Sequence, residues 1–151
     1  VKVACGFDHR GTTLRDAVLA AVVRAGHEPV DLGVEDASKR VDYPDVARDV
    51  AMAIRSGRAE RGVLVCGSGV GASVAASKIP GIRAAICHDV YSAHQGVEHD
   101  DLNVLCLGSG VIGDAVAGEL VVAFLDAQFV GEGRYLARLE KLERLEKMVD
   151  G

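Results

Sequence analysis

Cys66 closes the apolar run Gly62-Val63-Leu64-Val65-Cys66 and is followed at once by Gly67-Ser68-Gly69-Val70-Gly71. Such a run reads as a strand buried on both faces, and the glycine stretch as a loop that opens a helix. Successive backbone N–H groups at a helix N-terminus form a nest that stabilises negative charge, whether a phosphate or an oxyanion formed during reaction. Thiols beside such a terminus are generally the reactive ones, able to act as base or nucleophile. Together the two can remove a proton α to a carbonyl while the nest holds the enediolate. The plainer reading is a packed cysteine before a structural turn.

Other residues extend the inventory. Gly67 to Ala72 fits a relaxed dinucleotide fingerprint, with Asp89 downstream, and Gly108-Ser109-Gly110-Val111-Ile112-Gly113 fits the strict form. Both follow late strands instead of opening the chain, which weakens a nicotinamide or flavin reading. His9 and His99 fall near strand ends or loops, where an acid/base imidazole is useful. The set His88, Asp89, His94, His99, Asp100 and Asp101 can be read as metal ligands, but it lacks the tight i,i+4 histidine pair of a zinc protease. Arg134 and Arg138 share one helix face, where they either clamp a phosphate or pair with Glu132, Glu140 and Glu143.

The elements that must position these residues alternate strand and helix. Strands are expected over residues 2–6, 28–32, 62–66, 82–87 and 103–107. Helices are expected over 12–25, 45–55, 71–78, 90–98 and 114–128. That alternation predicts an α/β fold with a five-stranded parallel sheet covered on both sides. Ligands of such sheets bind at the carboxyl ends of the strands, where Asp8, His9, Cys66 and the glycine loops emerge. A last amphipathic helix, over residues 134–149, carries Leu136, Leu139, Leu142, Leu145 and Met148 on one stripe. It either folds back on the sheet or meets another subunit. With no internal repeat, residues 1–151 read as one domain.

Composition narrows the classes further. The 151 residues are 49% hydrophobic, carry a net charge of −5 and include 18 glycines, three Tyr, three Phe and no Trp. Interspersed acids and bases leave no basic face for nucleic acid. The richest apolar stretch, residues 115–130, is broken by Glu119 and Asp126, so no membrane span is expected. The chain opens directly on a strand-like run, which predicts no cleavable leader. Cys5, Cys66, Cys87 and Cys106 lie far apart with no CxxC pair. That usage predicts buried thiols in a reducing cytoplasm instead of a disulfide framework or zinc knuckle.

Several motifs then appear in order: Gly6-Phe7-Asp8-His9-Arg10-Gly11, Asp42-Tyr43-Pro44-Asp45, Cys66-Gly67-Ser68-Gly69-Val70-Gly71, Ser77-Lys78-Ile79-Pro80-Gly81-Ile82-Arg83-Ala84 and His99-Asp100-Asp101-Leu102-Asn103-Val104-Leu105. The chain thereby resembles the type B ribose-5-phosphate isomerase family, which also contains galactose-6-phosphate and allose-6-phosphate isomerases. The resemblance implies a cofactor-free, metal-free aldose–ketose isomerase acting on a sugar phosphate, with a Rossmann-like three-layer fold, working as a homodimer or dimer of dimers.

Carried over by position, Cys66 moves the proton between C1 and C2. The backbone of Gly67, Gly69, Val70 and Gly71 and the Ser68 hydroxyl hold the enediolate. His99 opens the furanose ring and Asp8 holds the sugar. His9, Arg134 and Arg138 bind phosphate, and Tyr43 lines the pocket. Cys66, with Ala72 in the region where another branch carries a Glu, places the chain in the Cys branch. Ser68 replaces a common Thr, Asp100 stands in the substrate region where many members have Asn, and Gly110 where many have a phosphate-binding Arg. These departures leave open a hexose or tetrose phosphate as substrate, or a non-catalytic phosphosugar-binding subunit.

Overall fold

Strand-forming and helix-forming segments alternate as expected, and the structure, a computed structural model describing residues 1–34 and 36–148, folds them into three layers. The strands are β1 (Lys2–Phe7), β2 (Glu28–Asp31), β3 (Arg61–Cys66), β4 (Ala84–Ile86) and β5 (Val104–Gly108). They form one sheet in the order β2-β1-β3-β5-β4, with every neighbouring pair parallel. The helices are α1 (Arg15–Arg24), α2 (Tyr43–Arg55), α3 (Val70–Ser77), α4 (Val90–Asp100), α5 (Asp114–Asp126) and α6 (Gly133–Lys147). The fold is α/β and Rossmann-like.

Side chains alternate across each strand, so one run serves two cores. Val3, Cys5, Phe7, Val63, Val65, Leu105 and Leu107 face α1, α4 and α5. Ala4, Leu64, Cys66, Val104 and Cys106 face α2 and α3. Phe7 and Phe124 are fully buried, each worth about 1.5–3 kcal/mol over an exposed ring. Among the described residues, no helix is long and apolar enough to cross a membrane.

Where elements depart from expectation, side chains have captured the backbone. The first helix was expected from residue 12, but residues Gly11–Leu14 form a 3-10 turn before α1. Asp8 Oδ1 accepts from the Arg10 and Gly11 N–H groups, and Thr12 Oγ1 donates to the His9 carbonyl, tightening that turn. β4 is three residues long instead of the expected six. At its start Arg83 N donates to Asn103 Oδ1, and beyond its end the Gly108 N–H donates to His88 Nε2 instead of to a strand carbonyl. α2 begins two residues early because Pro44 sits in its first turn, where a missing N–H costs nothing. The expected end of the last helix, residue 149, lies outside the described residues.

Candidate active site

The strand order places the site. The chain winds from β1 outward to β2, then returns to start β3 on the other flank of β1, so the switch point lies between β1 and β3. Phe7 pairs with Val65 in that ladder, so Asp8, the first residue beyond β1, follows on beside Cys66, the last residue of β3. The Asp8 N–H still donates to the Val65 carbonyl at 3.3 Å.

Cys66 is buried, and its Sγ accepts the Gly69 N–H at 3.2 Å. That bond requires the chain to double back within three residues. Gly69 does so in a left-handed conformation, φ 84°, while serving as the N-cap of α3. A Cβ there would also stand 3.2 Å from the Leu107 carbonyl carbon. Ser68 is exposed, with its Oγ accepting the Val70 N–H at 3.2 Å. The first bond turning into α3 runs from Ser73 N to the Gly69 carbonyl, so the Gly71 and Ala72 N–H groups precede the helical ladder. The Tyr43 ring, at the start of α2, covers Gly71 so closely that a Cβ there would lie 2.7 Å from it.

The second glycine stretch proves to be scaffold for the first. Ser109 N donates to the Cys66 carbonyl and Gly110 N to the Gly67 carbonyl, both at 2.9 Å, while Val111 N and Ile112 N turn back to Gly108. Its amides are therefore spent inside the protein instead of presented to a pyrophosphate, whatever its match to the strict fingerprint.

Beside this cluster, His9 Nδ1 lies 3.2 Å from the Val41 carbonyl oxygen and 3.4 Å from Val41 N, which clasps one edge of the ring. A groove of about 790 Å³ opens next to it, lined by Lys39 and Arg40 as well as Asp42 and Asp45. Asp8, His9, Tyr43, Cys66, Ser68 and residues 67–71 thus form one group.

All four cysteines are buried, but three are held as inert thiols. Burial, with Asp31 nearby, pushes Cys5 up to about 12. Burial, with Asp89 nearby, pushes Cys87 up to about 11. Cys106 is raised by its burial first and by its neighbours Cys66 and Cys87 second. What sets Cys66 apart is its place at a helix N-terminus with a backbone N–H on sulfur.

The remaining expected residues form a second group, at the opposite edge of the sheet. α4 leaves the carboxyl end of β4 and returns to the amino end of β5, carrying His99 and Asp100 in its last turn. Gln95 Nε2 lies 2.8 Å from His99 Nδ1, which holds one edge of the ring. Tyr135 of α6 stacks on His99 with ring centroids 4.6 Å apart. Arg134 caps the stack, its guanidinium 4.9 Å from the Tyr135 centroid and its Nη2 donating to the hydroxyl at 2.8 Å. Arg138 is exposed one turn further on. Among the described residues, neither arginine forms an ion pair, so the pairing with Glu132, Glu140 or Glu143 is not what the helix uses. His94 instead bonds Glu98 within α4, and no group of metal-ligating residues forms among the described residues.

One chain therefore brings together Asp8, His9, Tyr43, Cys66 and the first glycine loop, and separately His99, Asp100, Arg134 and Arg138. The sequence gives no role to Arg10, Gln95 or Tyr135, and offers His88 only as a metal ligand and Ser109 only as part of a dinucleotide fingerprint, whereas here His88 accepts the Gly108 N–H and Ser109 donates to the Cys66 and Arg10 carbonyls. Arg10 stands inside the Gly6–Gly11 motif, and its charge beside His9 is the signal that points to it. Tyr135 meets His99 only through the packing of α6 on α4, and nothing in its spacing points there.

Residues 3–142 match the family described as Ribose/Galactose Isomerase. The chain is 43% identical over 146 residues to the ribose-5-phosphate isomerase B of Escherichia coli, covering 97% of each protein. It is 38% identical over 133 residues to a D-erythrulose-4-phosphate isomerase of Pectobacterium atrosepticum, covering 88% of each. A solved type B ribose 5-phosphate isomerase from Trypanosoma cruzi superposes with a TM-score of 0.94 at 41% identity, over 98% of this chain and 99% of that one.

Proposed function

The chain belongs to the ribose/galactose isomerase family, and from that membership we infer that it interconverts ribose 5-phosphate and ribulose 5-phosphate. The observation within the fold that carries this reading is Cys66, a buried thiol at the end of β3 whose sulfur accepts the Gly69 N–H. A base at that spot faces the switch point where a sugar binds.

With the sugar opened to its aldehyde, Cys66 removes the proton from C2. The C2–H electron pair becomes the C1–C2 double bond, and negative charge moves onto O1. The amides at the start of α3 and the Ser68 hydroxyl hold that oxygen in place. Cys66 returns the proton to C1 as the hydroxyl proton passes from O2 to O1. Atoms and electrons balance without any outside oxidant or reductant. Asp8 holds sugar hydroxyls, Tyr43 closes one wall, and His9 anchors the phosphate through the ring edge that Val41 leaves open.

Ring opening by His99 and phosphate binding by Arg134 and Arg138 need those residues at the carboxyl ends of the strands, where one chain does not put them. The active unit is a dimer in which the second copy brings His99, Asp100, Arg134 and Arg138 to the first copy's Cys66. α6 supports this: Leu136, Leu142, Leu145 and Met148 remain 40–74% exposed along it while Leu139 alone is buried. Residues 1–151 act as one isomerase domain, and four unpaired thiols suit a reducing cytoplasm.

The Pectobacterium relative favours a second reading, the same proton transfer on a tetrose phosphate. Measuring kcat/KM on C4, C5 and C6 aldose phosphates decides between them. The pentose reading expects ribose 5-phosphate to lead, and fails if a tetrose phosphate leads or no phosphate is turned over.

A further inference from the structure

Arg10 is exposed, yet its guanidinium lies along the glycine loop instead of extending into solvent. A Cβ built on Gly67 would stand 2.3 Å from Arg10 Cζ and 2.5 Å from Nη1. Only a residue without a side chain lets the guanidinium settle there, one position from Cys66. The backbone beneath it is fixed on two sides: Asp8 Oδ1 accepts the Arg10 N–H at 2.9 Å, and Ser109 Oγ donates to the Arg10 carbonyl at 2.7 Å. The guanidinium itself has no hydrogen-bond or ion-pair partner among the described residues, and no carboxylate explains its position.

Gly110 occupies the adjoining position. Its N–H is bonded to the Gly67 carbonyl, and a Cβ on it would meet only that oxygen, at 3.1 Å. The space beside Gly67 is thus open from the residue 110 side and filled by a cation from the residue 10 side. A planar donor with five N–H groups, unspent and next to His9, matches a phosphate.

We propose that Arg10 is a substrate-binding residue of this chain, its guanidinium taking the phosphate of the sugar phosphate from the first strand's turn and standing in for a cation that residue 110 does not provide. The proposal rests on the isomerase reading above for the identity of the phosphate ester, but not for the anion site itself. Arg10 acts on binding and leaves the proton transfer to Cys66. It therefore moves KM and the affinity for inorganic phosphate, and leaves kcat nearly alone.

The test titrates inorganic phosphate into the full chain and into Arg10→Ala, Arg10→Lys and Arg10→Ala/Gly110→Arg, and measures kcat and KM on ribose 5-phosphate. Arg10→Ala is expected to weaken phosphate binding and raise KM by roughly tenfold or more, the size of one charge-assisted bond, with kcat within about threefold of the unaltered chain. Arg10→Lys keeps part of the affinity, since it retains charge without the planar fork. The double variant recovers it, because the two positions reach the same space. Equal phosphate affinity in the chain and Arg10→Ala, or a loss confined to kcat, overturns the proposal. A chain that turns over no sugar phosphate defeats the isomerase reading, while the phosphate titration still decides Arg10.

Discussion

The Gly69 N–H points at the Cys66 sulfur from 3.2 Å, across a single turn of chain. Of the four buried thiols, Cys66 is the one that stands at the head of a helix with a backbone N–H on its sulfur. Cys66→Ala should therefore lower kcat by about 10²–10⁴-fold, the usual contribution of a positioned base, with KM little changed. Alanine at Cys5 or Cys87, on the opposite core, should instead show its effect in stability. Steady-state kinetics on ribose 5-phosphate separate the two outcomes, and near-normal turnover by Cys66→Ala removes the base assignment.

The same bond depends on the backbone of Gly69, which holds φ 84°. Gly69→Ala places a Cβ in the left-handed region and 3.2 Å from the Leu107 carbonyl carbon. A cost of roughly 1–2 kcal/mol is expected from the conformation alone, read as a lower urea midpoint with an unchanged m-value. Activity should fall further than stability, because the N–H that meets Cys66 moves with the turn. A variant that loses stability but keeps kcat would show that the Gly69 contact is structural only.

Tyr135 holds His99 through a stacked contact of 4.6 Å and reaches Arg134 through its hydroxyl. A ring pair of this kind contributes about 0.5–1.5 kcal/mol beyond its buried area. Tyr135→Ala should free the imidazole and lower kcat several-fold, whereas Tyr135→Phe keeps the stack and loses only the Arg134 bond. If Tyr135→Phe is as impaired as Tyr135→Ala, the hydroxyl and not the ring positions the site.

The central strands and the Cys66 loop were legible because each is contiguous: an apolar run buried on both faces and a glycine turn need no distant partner to be read. The shortened β4 was not, since Arg83 and His88 end it through bonds to Asn103 and Gly108 that lie 20 residues away. The family resemblance placed His99 and Arg134 in the same site as Cys66 without saying whether one chain or two supply them. α4 runs back toward the amino ends, so its last turn cannot meet Cys66 within one chain. Arg10 and Tyr135 were invisible for a related reason: each acquires its role by touching an element far along the sequence.

His88 supplies a test of pH dependence. Its Nε2 accepts the Gly108 N–H at 3.0 Å, so the ring must be neutral on that nitrogen, and burial lowers its pKa below the ordinary 6.5. The folded value lies below the unfolded one, so the stabilisation is whole above 6.5 and is lost as pH falls through the folded value. The melting temperature should decline between about pH 7 and pH 5. His88→Gln, whose amide oxygen can still accept, should show a shallower decline. His27, also lowered, chiefly by burial and then by the Val1 amino group, adds a slope of the same sign that His88→Gln does not remove. Parallel profiles for His88→Gln and the unaltered chain would assign the dependence elsewhere.

The proposed division of the site between two copies of the chain makes the strongest prediction about assembly. If each site takes Cys66 from one copy and His99 from another, Cys66→Ala and His99→Asn each inactivate a different half. Each variant alone should be nearly inactive. Unfolded together and refolded as a mixture, they form some dimers holding one intact site and one doubly altered site. Random pairing of a two-fold dimer makes half the dimers mixed, each with one working site, so about a quarter of full activity should return. Recovery must grow with exchange of subunits and vanish when the variants are mixed without it. A mixture that stays inactive after exchange, with mixed dimers verified by mass, would mean that Cys66 and His99 do not meet across the interface.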